Sequence, residues 1–204
     1  AKRMYSELSK ETKNFFNMMI DEELMDLENR AGKSGGGFCT SFPSLERPYI
    51  FANFNGTDHD VTVLTHEAGH AFQGYQSRKQ PLNRYLWATY EACEIHSMSM
   101  EFLTWDWMNL FFKEDTDKFL FKHIAGSLSF LPYGALVDHF QHWVYENPKA
   151  TPKERKKQWL ELEKIYQPGK KYDNLKFLKN GGFWQKQAHI YEMPFYYIDY
   201  TLAQ

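Results

Sequence analysis

The segment Thr65-His66-Glu67-Ala68-Gly69-His70 sets two histidines four residues apart, with a glutamate directly after the first. On a helix, residues four apart lie on one face, so both imidazoles can reach one ion while Glu67 stands beside them. Neutral imidazole nitrogens suit zinc, and a catalytic zinc site keeps one position open for water. Glu67 would take that water's proton and pass it to a leaving amine. The plainer alternative is two histidines on an ordinary amphipathic helix. It leaves Gly69 unexplained, since glycine inside a helix costs ~1 kcal/mol and suggests a specific reason for its presence.

Such a site needs a third protein ligand. Gln73 and Gln76 stand where H-E-x-x-H-x-x-G-x-x-H would place its glycine and third histidine, which disfavours a metzincin. A carboxylate from the next helix is the alternative, with Glu91, Glu94 and Glu101 as candidates. Glu94 and Glu101 are seven apart and share a helical face, so one could bind metal while the other supports a ligand from behind. Glu91 lies close enough to that face to remain a rival.

Helices must position these groups. Thr57 or Asp58 can cap a helix running through Val61, Leu64, His66, His70 and Phe72 to about Lys79, where Pro81 and Asn83 end it. Upstream, Leu8, Phe15, Met19, Leu24 and Leu27 recur at helical spacing and predict one or two amphipathic helices over 5–29. Gly35-Gly36-Gly37 breaks the pattern, and two short strands follow within 38–54, the second over 49–54. Were that second strand a sheet edge, it could pair with a peptide backbone.

Downstream, a long helix is expected over 85–112, with helical segments at 117–130 and 133–145. Thr151-Pro152-Lys153-Glu154 combines a capping box with proline at the first helical position and predicts a helix to about Tyr166. Asn180-Gly181-Gly182 marks a loop, and Pro194 is expected to open a final helix through Leu202, leaving His189 and Tyr191 in the loop before it. The reading is a mainly α fold with a small β-sheet, and residues 1–204 as a single domain.

Composition narrows the partners. With 43% hydrophobic residues the chain can bury one sizeable core, and a net charge of −2 without a basic block gives no electrostatic reason to expect nucleic acid or an anionic membrane. Even the apolar region 119–140 is interrupted by Lys122, His123 and Asp138, short of the ~20 residues that span a bilayer. A small molecule or a peptide is the expected partner. Cys39 and Cys93 are too few for a disulfide scaffold, which favours a reducing, cytoplasmic location. The start Ala1-Lys2-Arg3-Met4 has no apolar targeting core and no initiator methionine, and reads as part of a longer protein.

Together these residues resemble the thimet oligopeptidase and oligoendopeptidase F group of zinc peptidases. The ligand helix of that group carries a glutamate, a serine at the third position after it and a second glutamate at the seventh. The run Glu94-Ile95-His96-Ser97-Met98-Ser99-Met100-Glu101 fits, whereas a register from Glu91 puts Met98 where the second glutamate belongs. The resemblance therefore selects Glu94. Gly36-Gly37-Phe38-Cys39 and Pro48-Tyr49-Ile50-Phe51-Ala52-Asn53-Phe54 look like the strands beside the group's cleft. His189-Ile190-Tyr191 with Pro194-Phe195-Tyr196-Tyr197-Ile198-Asp199-Tyr200 is similar to its C-terminal histidine and tyrosine segment.

The resemblance spans most of the chain and implies a zincin-like catalytic domain cut from a longer peptidase. It implies one zinc ion on His66, His70 and Glu94, Glu67 as general base, and hydrolysis of internal bonds in oligopeptides. His189 and Tyr197 would face the scissile carbonyl, with Tyr196 and Tyr200 as rivals for the tyrosine. An exopeptidase on the same site and a zinc-stabilised interaction module without hydrolysis are the competing readings.

Overall fold

Ser9 decides how the chain begins. Its backbone is extended and its hydroxyl accepts from Thr12 N at 3.1 Å, so it closes helix α1 (Lys2–Leu8) and caps helix α2 (Lys10–Asp21). The computed structural model describes all 204 residues, which divide into two compact units, Ala1–His123 and Ile124–Gln204.

In the first unit, α2 does not continue to residue 29. Glu23 turns left-handed at φ 54°, and the chain enters strand β1 (Met25–Glu28). Strands β2 (Phe38–Phe42) and β3 (Arg47–Phe54) complete a sheet of order β1-β3-β2, with β1 parallel and β2 antiparallel to β3. The strand over 49–54 is thus central rather than an edge, because β1 occupies its second side. Pro48, Ile50 and Ala52 alternate inward along β3, as a half-covered strand requires.

Helix α3 (His59–Ser77) follows. The long helix expected over 85–112 is instead a broken series. It consists of α4 (Tyr90–Cys93), α5 (Ile95–Leu103), a 3-10 turn at Trp105–Trp107 and α6 (Asn109–Phe112). The Thr104 hydroxyl donates to the carbonyls of Met100 and Glu101 where α5 ends. Helices α3 and α5 meet at backbone distance: a Cβ at Gly69 would lie 2.6 Å from both the His96 carbonyl oxygen and Ser97 Cα. That contact is the reason for glycine inside this helix. Tyr5, Phe15, Ala68, Ala71, Met100 and Met108 belong to the core that holds the unit together.

The boundary between units falls within helix α7 (Thr116–Glu146), which is continuous through Pro132 where two helical segments were expected. In the second unit Thr151 and Glu154 form the expected capping box of helix α8 (Pro152–Tyr166). Phe140 meets Trp159 edge-on over a core that includes Leu136, Val137 and Trp184. Buried Glu163 accepts from Trp159 Nε1 and the Tyr172 hydroxyl. After α9 (Lys176–Lys179), His189 and Tyr191 lie in a short helix, α10 (His189–Glu192), rather than a loop. Pro194 does not open the last helix. Phe195 turns left-handed at φ 64°, and α11 (Ile198–Ala203) begins beyond Tyr197. No helix is long and apolar enough to cross a membrane.

Candidate metal centre

His66 and His70 share one face of α3, and the close approach at Gly69 brings the start of α5 against that face. Glu94, in the junction between α4 and α5, then lies with Oε2 3.1 Å from His66 Nε2 and 3.3 Å from His70 Nε2. The donor atoms of His66, His70 and Glu94 all fall within 4.8 Å of one another. Glu91, the sequence rival, is exposed on α4.

The other edges of these three side chains are also held. Ser97 is fully buried and its hydroxyl donates to Glu94 Oε2 at 2.8 Å. His66 Nδ1 is 2.8 Å from Glu101 Oε1, and His70 Nδ1 is 2.9 Å from His96 Nε2. Glu101 Oε2 in turn meets His123 Nε2 at 2.7 Å. Both ring-nitrogen pairs leave Nε2 of His66 and His70 directed to a common point with the Glu94 carboxylate. Two imidazoles and one carboxylate are the protein ligands of an open catalytic zinc site, so the donor set fits that ion.

Burial would lower the His66 imidazole, but hydrogen bonds to Glu101 and Glu94 outweigh it and lift the group to about 10 before metal uptake. Burial would raise Glu94, yet its contacts with His66 and His70 hold it well below the carboxylate range. Glu67 moves the other way. It is 7% exposed, burial pushes its carboxyl up, and its Oε2 is buried without a hydrogen-bond partner in the chain. A raised carboxyl with an uncommitted oxygen is suited to accepting a proton from water. Strand β2 starts nearby: a Cβ at Gly37 would lie 3.6 Å from Glu67 Oε1. Cys39 and Cys93 are not joined in a disulfide, and burial pushes Cys39 up.

His189 and Tyr197 belong to the second unit, where they cluster with Tyr196 and Tyr200. The His189 and Tyr197 rings are 5.0 Å apart, while His189 Nε2 is 3.3 Å from the Tyr200 hydroxyl. Burial pushes the Tyr197 phenol up to about 12. The tyrosine alternatives left open by the sequence thus share one histidine.

Sequence reasoning passed over His96 and His123. His96 stood inside the quoted ligand-helix motif without a role. His123 interrupts the apolar run 119–140, and a polar side chain set in such a run is the signal of a buried group that needs a partner.

The sequence model of peptidase family M3 matches residues 5–204. The chain is 60% identical to a solved structure of Pz peptidase A with an inhibitor, covering 99% of this chain and 36% of that one at a TM-score of 0.97. Against a chain described as an oligoendopeptidase F from Bacillus anthracis strain Ames, identity is 55% over 99% of this chain and 33% of the other, with a TM-score of 0.85. A curated oligoendopeptidase F homolog of Borreliella burgdorferi is 27% identical over 202 residues, 93% of this chain and 32% of its own length. The chain therefore spans about a third of the length of the relatives it matches.

Proposed function

Because the chain belongs to peptidase family M3, we propose that it is the catalytic portion of a zinc endopeptidase that cuts internal bonds of short oligopeptides. The observation that carries this reading is the convergence of His66 Nε2, His70 Nε2 and Glu94 Oε2 beside the uncommitted carboxylate oxygen of Glu67. Zinc, when bound, supplies a Lewis acid that polarises the scissile carbonyl and acidifies water. Glu67 takes the proton of the attacking water and delivers it to the leaving amine nitrogen. Its burial, which raises its carboxyl, strengthens it as the acceptor of the water's proton.

Backbone binding moves from the central strand to β2. That strand is the sheet edge that starts against Glu67, and an extended peptide added there would gain main-chain hydrogen bonds without regard to its sequence. His189 and Tyr197 are assigned to the developing oxyanion. The resemblance of the C-terminal segment and the clustering of the two rings support this. The two units together make up one catalytic domain in this reading, and two cysteines not joined in a disulfide favour a reducing compartment such as the cytoplasm.

The test is a metal count joined to digestion of a peptide library whose members are free or blocked at both ends, on this chain and on a longer form supplied with the remaining length of its relatives. One zinc per chain and cleavage inside blocked peptides are expected. Release of single terminal residues from free peptides alone would make the enzyme an exopeptidase. Zinc without any cleavage by the longer form would make the site structural.

A further inference from the structure

Building on the metal-site reading above, we propose that Trp105 and His123 are positioning residues for the His66 imidazole, fixing through Glu101 which of its nitrogens faces the metal. The chain of contacts starts at the 3-10 turn after α5. Trp105 Nε1 lies 3.0 Å from His123 Nδ1. An indole nitrogen has a hydrogen to give and no lone pair to offer, so His123 Nδ1 is the acceptor. The ring hydrogen of His123 must then sit on Nε2, which donates to Glu101 Oε2 at 2.7 Å. The second oxygen of the same carboxylate accepts from His66 Nδ1 at 2.8 Å. Once zinc displaces its other proton, His66 would keep its hydrogen on Nδ1 and offer its lone pair from Nε2, the atom that lies 3.1 Å from Glu94 Oε2.

The surroundings make that order hard to scramble. Phe119 lies nearly parallel to the His123 ring at 5.8 Å, and Phe102 meets it at 4.9 Å. The side chains of His123 and Glu101 are 9% and 11% exposed, leaving little room for water to replace a missing partner. Hydrogen bonds in such a setting reinforce one another, and a lost donor is not made good by solvent. His70 provides a contrast, because its Nδ1 faces His96 Nε2, an atom able either to give or to accept. The indole end is what gives the His66 side a direction.

The experiment measures zinc affinity by competition with a chromophoric chelator for the unaltered chain, His123→Leu, His123→Gln and Trp105→Phe, with nitrogen-15 NMR of the imidazoles in the zinc-loaded protein. Loss of such an outer partner costs roughly tenfold or more in affinity. His123→Leu is expected to weaken zinc by about that factor. His123→Gln, whose amide can donate to Glu101, is expected to recover most of the loss. In the unaltered protein the spectra should place the hydrogen of His123 on Nε2 and that of His66 on Nδ1. Trp105→Phe should broaden or reverse the His123 assignment.

A His123→Leu chain that is folded and binds zinc as tightly as the unaltered one overturns the proposal. So does a His123 hydrogen found on Nδ1. Should His123→Leu fail to fold, the spectra of the unaltered chain and the glutamine variant decide the matter. If the unaltered chain takes up no zinc at all, the metal reading fails and this inference falls with it. Tight zinc binding that ignores His123 defeats this inference alone.

Discussion

At the scale of single residues, Glu67 and His66 make opposite demands on protons. In the proposed mechanism Glu67 accepts one, and Glu67→Gln keeps the shape while removing the base. Turnover should fall by about 10²–10⁴-fold with zinc content unchanged. Steady-state kinetics beside a metal count would check this, and undiminished turnover removes Glu67 from the mechanism. His66, as a proposed zinc ligand, would instead lose a proton. Its imidazole is lifted to about 10 before metal uptake, so it is charged at pH 7, and a metal ligand must be neutral. Zinc uptake at pH 7 should therefore release roughly one proton, a release that disappears as pH rises through 10. Binding enthalpies at pH 7 in buffers of different ionisation heat would reveal it, and the same enthalpy in every buffer would contradict it.

At the scale of elements, what was legible depended on whether a local signal had a local cause. The α8 start was readable because Thr151, Pro152 and Glu154 act within four residues of one another. The shared face of His66 and His70 on α3 was readable because spacing four on a helix needs no tertiary knowledge. β1 was not, since Leu24 and Leu27 fit a helical period as well as a strand, and the left-handed turn at Glu23 uses a residue type that does not announce one. The breaks in 85–112 and the continuity through Pro132 are likewise tertiary outcomes that override local propensity.

Gly69 sits between these cases. The sequence flagged it as costly, and the reason appears with α5 in place. Gly69→Ala should gain helix propensity of ~1 kcal/mol yet lose more. Its Cβ meets backbone rather than a movable side chain, and overpacking of this kind costs roughly 1–3 kcal/mol. Urea unfolding should show net destabilisation, and zinc should bind more weakly as Glu94 is pushed from the histidines. A variant at least as stable as the unaltered chain would mean that the helices part without cost.

At the scale of the whole molecule, the proposed metal ligands His66, His70 and Glu94 belong to the first unit and His189 with Tyr197 to the second, so the two sets of residues should respond differently to mutation. A donor aimed at charge that appears in the transition state affects the barrier more than substrate binding, and its removal costs about 2.7–4 kcal/mol. Tyr197→Phe removes only a hydroxyl, and His189→Ala removes a ring whose Nδ1 is held by Gln187 at 2.7 Å. Each should lower kcat by about 10²–10³-fold in the longer active form while KM and zinc content stay nearly constant. The competing possibility is packing, since Tyr197 is 9% exposed and lies against Phe130 and Tyr133 at 5.7 and 5.9 Å. Thermal unfolding separates the two: a catalytic hydroxyl leaves the midpoint of Tyr197→Phe in place, whereas a structural one lowers it along with turnover. Tyr200→Phe supplies the remaining comparison, because its hydroxyl is 3.3 Å from His189 Nε2. If Tyr200→Phe loses turnover and Tyr197→Phe does not, the oxyanion role belongs to the residue three positions further along, and the register carried from the resemblance is off by one helical turn.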